Sequence, residues 1–189
     1  MKFIRNKSKI INRVLYGLLS LKFDSYEQAS DVIGLSSAKV LNHAVINGGI
    51  PEDHHIQLIC DYFGIHKDII FNQDDINKRL DLFEKDLLEP LEDDKFDYPK
   101  QGFKGGVGVK VSRFRKPIKN KIKRPVLYAV MVADNIKLSK LADMVGLSRR
   151  RIGAYIYDGE NPSQRSEKAI ANVLDFNSSY LFLLIEKGL

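Results

Sequence analysis

A single cysteine, Cys60, stands in the 189-residue chain, which excludes an internal disulfide and any cysteine-ligated zinc finger. Long apolar runs are missing too. A membrane span needs about 18 apolar residues, and the longest compact stretch here is Tyr180 to Ile185. The first residues, Met1-Lys2-Phe3-Ile4-Arg5, carry charge, but no apolar stretch with a small-residue cleavage site follows, so no signal peptide is expected. Alternating strand patterns are nearly absent. Carboxylates are numerous, yet no pair of them falls at apolar positions where general acid–base work would need it. The expectation is a soluble, cytoplasmic protein that is not an enzyme, spans no membrane and uses no cofactor.

Some chemical motifs occur only in broken form. Lys104-Gly105-Gly106-Val107-Gly108-Val109-Lys110 has the glycines of a phosphate loop, but Val109 separates Gly108 from Lys110 and no hydroxyl follows. His54 and His55 are adjacent, so they are not expected to share a helix face as metal ligands, and no metal is expected.

What is present is segregated charge. The net charge is +6, with 44% apolar residues and a mean hydropathy of −0.23. Residues 1–71 contribute +1, residues 72–97 contribute −6, residues 98–124 contribute +10 with no acid among them, and residues 125–189 contribute +1. Ten positive charges in one segment point to a polyanionic partner more strongly than the total does.

The two ends repeat one another. At an offset of 112, Val14-Leu15-Tyr16 matches Val126-Leu127-Tyr128, Asp31 matches Asp143, and Gly34-Leu35-Ser36 matches Gly146-Leu147-Ser148. After a one-residue gap the offset is 111, and Gly48, Pro51, Ile59 and Phe71 match Gly159, Pro162, Ile170 and Phe182. The unit is helical. Pro125 suits a first helical position, Leu138 to Val145 is stopped by Gly146, and Ser148 caps a third helix running to about Tyr157. Ser163 caps a fourth, and a last helix is expected over Ser178 to Ile185. In the first copy, Ser25-x-x-Gln28 has the form of a capping box.

The most telling spacing is Leu141-Ala142-x-x-Val145-Gly146-Leu147-Ser148-x-x-x-Ile152, matched by Ala29-Ser30-x-x-Ile33-Gly34-Leu35-Ser36-x-x-x-Val40. Two helices joined so tightly need a small residue where they cross (Ala142, Ser30) and a residue tolerant of positive φ in the turn (Gly146, Gly34). This is the helix-turn-helix pattern. The sequence here resembles the lambda-repressor-like, Cro/XRE-type family of five-helix DNA-binding domains. It does so through Lys140 to Ile152, Gly159-Glu160-Asn161-Pro162 and Ala169-Ile170-Ala171, and over about 60 residues at each end. The first copy departs from the family pattern at Ala29-Ser30 and His43.

The resemblance implies an all-α chain with two such domains, residues 1–73 and 124–189. An acidic helix in 74–97 and a basic Gly-rich arm, 98–123, join them. It also implies base reading by the third helix: Ser148, Arg149, Arg150, Arg151, Gly153 and Ala154 in the second copy, and Ser36, Ser37, Ala38, Lys39, Leu41 and Asn42 in the first. Arginine suits this work because its planar fork bonds a guanine edge or a phosphate through two parallel hydrogen bonds. Arg113, Arg115, Lys116, Lys121, Lys123 and Arg124 are expected to neutralise phosphates, with the arm spanning roughly 30 Å as a coil. Ile76, Leu80, Phe83 and Leu87 form an apolar stripe that either packs on the first domain or makes a homodimer contact. The expected partner is double-stranded DNA. The expected role is a nucleoid-associated transcriptional regulator, a repressor of phage or mobile-element type; the alternative is an interaction protein in which only the second copy binds DNA and the first mediates dimerisation or docks a partner.

Overall fold

A computed structural model describes residues 10–88 and 122–185. Among the described residues the chain is all-α, without a strand. The first half comprises α1 (Arg13–Lys22), α2 (Tyr26–Ile33), α3 (Ala38–Ile46), α4 (Asp53–Phe63) and α5 (Lys67–Ile70), followed by α6 (Gln73–Leu88). The second comprises α7 (Pro125–Ala133), α8 (Leu138–Val145), α9 (Arg149–Gly153), α10 (Gln164–Leu174) and α11 (Ser178–Leu181), with α9 running on into a π-helical turn over Ala154–Asp158.

The punctuation lies in the sequence. Side-chain oxygens of Asn12, Ser25, Ser37, Ser148 and Ser163 accept hydrogen bonds from the free N–H groups that open their helices. Gly34 and Gly146, at φ 86° and 67°, end α2 and α8 in the left-handed region, where a side chain would be strained. The Ser25 cap departs from the expected box in one detail: Gln28 Oε1 accepts from Asp24 N, one residue before the cap, at 2.7 Å.

Helix boundaries and hydrogen bonds recur between the halves. The bounds of α2 and α8 differ by 112, and those of α4 and α10, and of α5 and α11, by 111. Ile11 and Asn12 N–H both donate to the Val45 carbonyl, and Lys123 and Arg124 N–H both donate to that of Ile156. Leu35 N donates to Ser30 O as Leu147 N does to Ala142 O.

The one-residue gap falls earlier than the sequence alignment places it. Ser37, not Ser36, caps α3 as Ser148 caps α9, and Leu41, not Val40, is fully buried like Ile152. Ser36 is therefore the additional residue, inserted into the turn between α2 and α3. Leu41 belongs to the core and not to the reading face. The last helix also stops short, at Leu181, because the following chain turns back and Ile185 N donates to Lys123 O at 2.8 Å.

The buried apolar residues of both halves form one continuous core. The halves meet where α1 crosses α7. A Cβ added to Gly17 would lie 2.3 Å from Ala129 Cα and 2.4 Å from its carbonyl oxygen, so only glycine permits this approach. Ala129 is Gly17's own counterpart at the offset of 112. A residue meets its own counterpart only close to the axis that relates two copies, and for two copies packed through one shared face a pseudo-dyad is the simplest such relation. The direct contact sets the separation of the halves; the reach of the joining segment does not.

Polar groups tie the same junction. Arg13 is 3% exposed. It donates from Nε and Nη2 to the Asp75 carboxylate, from Nη1 to Asp134 Oδ2 and Leu174 O (2.8 Å each), and from Nη2 to Asp175 O at 3.0 Å. Its guanidinium lies 5.3 Å from the centre of the Phe176 ring. Burial pushes its pKa down, but hydrogen bonds to and charges of Asp75 and Asp134 outweigh that and hold it above its ordinary value. α6 closes over this joint. Ile76 is buried beside Gly48 and Ile11, Arg79 donates to Ile10 O and pairs with Asp134 at 3.5 Å, and Lys78 pairs with Asp175. Burial, ahead of the neighbouring charges, lowers the pKa of Arg79.

The stripe on α6 thus begins inside this chain. Ile76 is buried within the fold and is not free for a homodimer, and Leu80 is half-buried. The side chains of Phe83 and Leu87 lie outside the described residues. No helix among the described residues is long and apolar enough to cross a membrane.

Candidate nucleic-acid interface

In each half a tight turn positions the second of two helices, so its first turn projects outward while its later residues anchor in the core. In the second half Ile152, Tyr155 and Ile156 are buried and hold α9, leaving Ser148, Arg149, Arg150 and Arg151 exposed. Ser148 Oγ accepts from Arg151 N at 3.2 Å, so this residue is occupied in part as a cap. The side chains of Arg149 and Arg150 are exposed and make no hydrogen bond or ion pair with the described residues. Arg151 is held sideways: its Nε donates to Tyr155 Oη at 3.2 Å and its Nη1 lies 3.8 Å from Glu160 Oε2. Gly153 and Ala154 are half-buried, and a Cβ on Gly153 would meet nothing nearer than Tyr157 Cδ2 at 3.9 Å.

Three arginines on one helical turn cost stability in an isolated protein. The peptide dipoles place partial positive charge at a helix N-terminus, where acids are favourable and cations are not. α2, α4, α6 and α10 carry acids there (Glu27, Asp53, Asp74 with Asp75, and Glu167); α1, α3, α7, α8 and α11 carry none, as α9 does, but α9 alone has three consecutive arginines in that turn. Free N–H groups, helix dipole and guanidinium charges all add up to a field that an anion would relieve.

The first half presents a weaker version. Lys39 is exposed and Asn42 half-buried, while Ser37 caps α3 by accepting from Lys39 N at 3.2 Å. Ser36 is exposed, and its Oγ lies 3.2 Å from Nε2 of the buried His55 on α4. With the corrected register, Lys39 stands opposite Arg150 and Asn42 opposite Gly153. His43, opposite Ala154, packs its ring over Gly49. One cation thus faces outward where the second half has three.

The basic segment divides. Arg113, Arg115, Lys116 and Lys121 lie outside the described residues, and Lys123 is half-buried. Arg124 departs from the expectation of a phosphate contact. It is 2% exposed and donates to the carbonyls of Phe182, Gly159 and Glu160 and to Asn161 Oδ1. Its guanidinium faces the Phe182 ring at 5.7 Å, and burial, ahead of the Glu167 charge, lowers its pKa. Arg124 directly precedes the buried Pro125, so its backbone is drawn into the fold; Nη1 and Nη2 are satisfied by the carbonyls and the Asn161 side chain around them, while Nε is buried without a hydrogen-bond partner.

A second group was not foreseen. At the start of α4 the rings of His54 and His55 lie with centroids 3.8 Å apart, tilted 40° to one another, and Glu52 Oε2 lies 3.4 Å from His54 Nδ1. Donor atoms of all three residues fall within 4.8 Å of one another, so adjacency does not keep the two imidazoles apart. Cys60 is half-buried against the core, and burial raises its thiol pKa. Comparison with known protein families, with curated proteins and with solved structures returns no match.

Proposed function

We propose that this chain is a sequence-specific double-stranded DNA-binding regulator of transcription, repressor-like in action. In this reading the first turns of α3 and α9 enter the major groove of one duplex. The observation that carries it is the pair Arg149 and Arg150, whose exposed side chains make no hydrogen bond or ion pair with the described residues and which sit at a helix N-terminus whose dipole already favours an anion. The pseudo-dyad adds support. Two-fold repressors read two half-sites about one helical turn apart, and an internal two-fold presents two reading helices from one chain. Because Lys39 and Asn42 stand where the second half has Arg150 and Gly153, the two half-sites should differ in sequence.

The test is selection from random duplex DNA at near-physiological salt, followed by footprinting. Two unlike half-motifs about one turn apart support the proposal. Tight binding without an enriched sequence, collapsing as salt rises, would overturn it.

A second reading is favoured by the single exposed cation of α3 and by the engagement of Ser36 with His55. There only α9 reads DNA, and the first half docks a partner. Lys39→Ala combined with Asn42→Ala should weaken operator binding on the first reading and leave it unchanged on the second.

A further inference from the structure

We infer that Glu52, His54 and His55 form a binding site for a divalent transition metal of the zinc type, with Ser36 as the group that orients one ligand. Two imidazoles and a carboxylate suit borderline cations of this kind and, as a three-ligand set, leave a fourth position open. The geometry is close to what such an ion needs. A tetrahedral centre with arms of about 2.05 Å separates its ligand atoms by about 3.3 Å. Glu52 Oε2 and His54 Nδ1 are already 3.4 Å apart. The whole set lies within 4.8 Å, and Glu52 and His54 are both exposed, so their side chains have room to turn toward the buried His55.

The least mobile ligand is His55, which is buried and whose Nε2 is 3.2 Å from Ser36 Oγ. A metal-ligating histidine commonly gives its second ring N–H to an oxygen, which fixes tautomer and ring plane. Ser36 supplies that oxygen, leaving Nδ1 of His55 for the metal.

Every part of the arrangement is peculiar to the first half. At the offset of 111, Glu52, His54 and His55 correspond to Ser163, Arg165 and Ser166, and Ser36 is the residue inserted in the turn before α3. Three substitutions and one insertion converge on one spot beside the first candidate reading helix. On the DNA-binding reading given above, Ser36 lies in the turn that sets the start of α3, so metal occupancy would alter the sequence preference of the first half.

The experiment is calorimetric titration of the full, tag-free chain with Zn2+ alone, repeated with Co2+ to follow its visible absorption. One equivalent should bind, and Co2+ should show the intense bands of a tetrahedral site. Glu52→Gln and His54→Ala, both at exposed positions, should each weaken binding tenfold or more, and Ser36→Ala by about 10–100-fold. His66→Ala, distant from this group in the chain, should bind as the parent does. Absence of saturable binding, or equal affinity in the Glu52 and His54 variants, would overturn the site. Since the titration uses no DNA, its outcome is separate from that of the regulator reading. Footprints with and without Zn2+ then test the coupling, which an unchanged first half-site would refute.

Discussion

Gly17→Ala should destabilise this protein, although the same change inside an ordinary helix stabilises it. In an exposed helix interior alanine is worth about 1 kcal/mol over glycine, because it lowers the conformational freedom of the unfolded chain. Here the new methyl would lie 2.3 Å from Ala129 Cα, 2.4 Å from its carbonyl oxygen and 2.5 Å from its Cβ. Ordinary contact starts near 3.4 Å. Two of the three overlaps are with backbone, so no rotamer change relieves them, and α1 and α7 must separate across the middle of the shared core. Overpacking of this kind costs about 1–3 kcal/mol, and helices forced apart by their backbones belong at the upper end. Subtracting the propensity gain leaves a net loss of about 1–2 kcal/mol. For a chain of this size that lowers the Tm by roughly 2–8 °C. Thermal and urea denaturation followed by circular dichroism give the number. Ala129→Gly in the same background removes only the Cβ overlap and should restore little. A Gly17→Ala variant more stable than the parent would refute the crossing, and with it the pseudo-dyad.

Arg13→Met removes the joint's charged centre and leaves Asp75, Asp134 and the Leu174 and Asp175 carbonyls without their donor; a loss of about 3–5 kcal/mol in urea unfolding is expected, and a loss under 1 kcal/mol would refute the role. Arg149→Ala and Arg150→Ala should each cost about 1–3 kcal/mol in binding to the selected operator while keeping or slightly raising the unfolding midpoint, as electrophoretic shift and denaturation assays would show. Ser163→Ala deletes the cap that accepts from Ser166 N at 3.2 Å and should lower stability by about 1 kcal/mol without altering DNA affinity. Burial raises the Tyr26, Tyr16 and Tyr157 phenol pKa values above 10.0, so these groups ionise more readily in the unfolded chain. Their stabilisation is intact below that value and is lost as pH climbs toward the raised folded-state values. Unfolding free energy should therefore fall on the alkaline side, and Tyr26→Phe should make that fall shallower.

The local architecture was legible because it is written in residues with few conformational choices. Gly34 and Gly146 at positive φ, the serine caps and Pro125 at a helix start mark boundaries by steric and hydrogen-bonding rules acting within a few residues. The packing of the halves was not legible, since its determinants look unremarkable one at a time. Gly17 in a helix reads as a weak helix former, and Arg13 as a solvated cation. Only the crossing of two distant segments turns the first into a contact and the second into a buried hub. Arg124 misled for the opposite reason: it ends a long run of basic residues, and composition cannot show that the chain is already buried two residues earlier, at Ile122. The register of α3 turned on a single residue. Ser36 and Ser37 are both credible caps, and only the burial of Leu41 decides between them.

The internal two-fold is apolar, and the polar joint built around it is not symmetric. Arg13 corresponds to Pro125, which has no donor to return, and Asp134 corresponds to Lys22. Two separate identical chains must place the same residue on both sides of their axis, so each change is made twice. Two copies within one chain are free of that constraint. This allows Arg13 on one side only, where it engages the C-terminal end of α10, and it allows α6 to brace one side of the joint. The same freedom extends to the candidate reading helices, where three arginines on α9 face a lone lysine on α3. Asymmetry in the joint and asymmetry in the reading surface have one cause, and it leads to one expectation for the proposed regulator. A perfect palindrome should be a poorer operator than a site with two unlike halves. Competition between an inverted repeat of the stronger half-motif and the selected asymmetric site measures this directly, and preference for the palindrome would refute it.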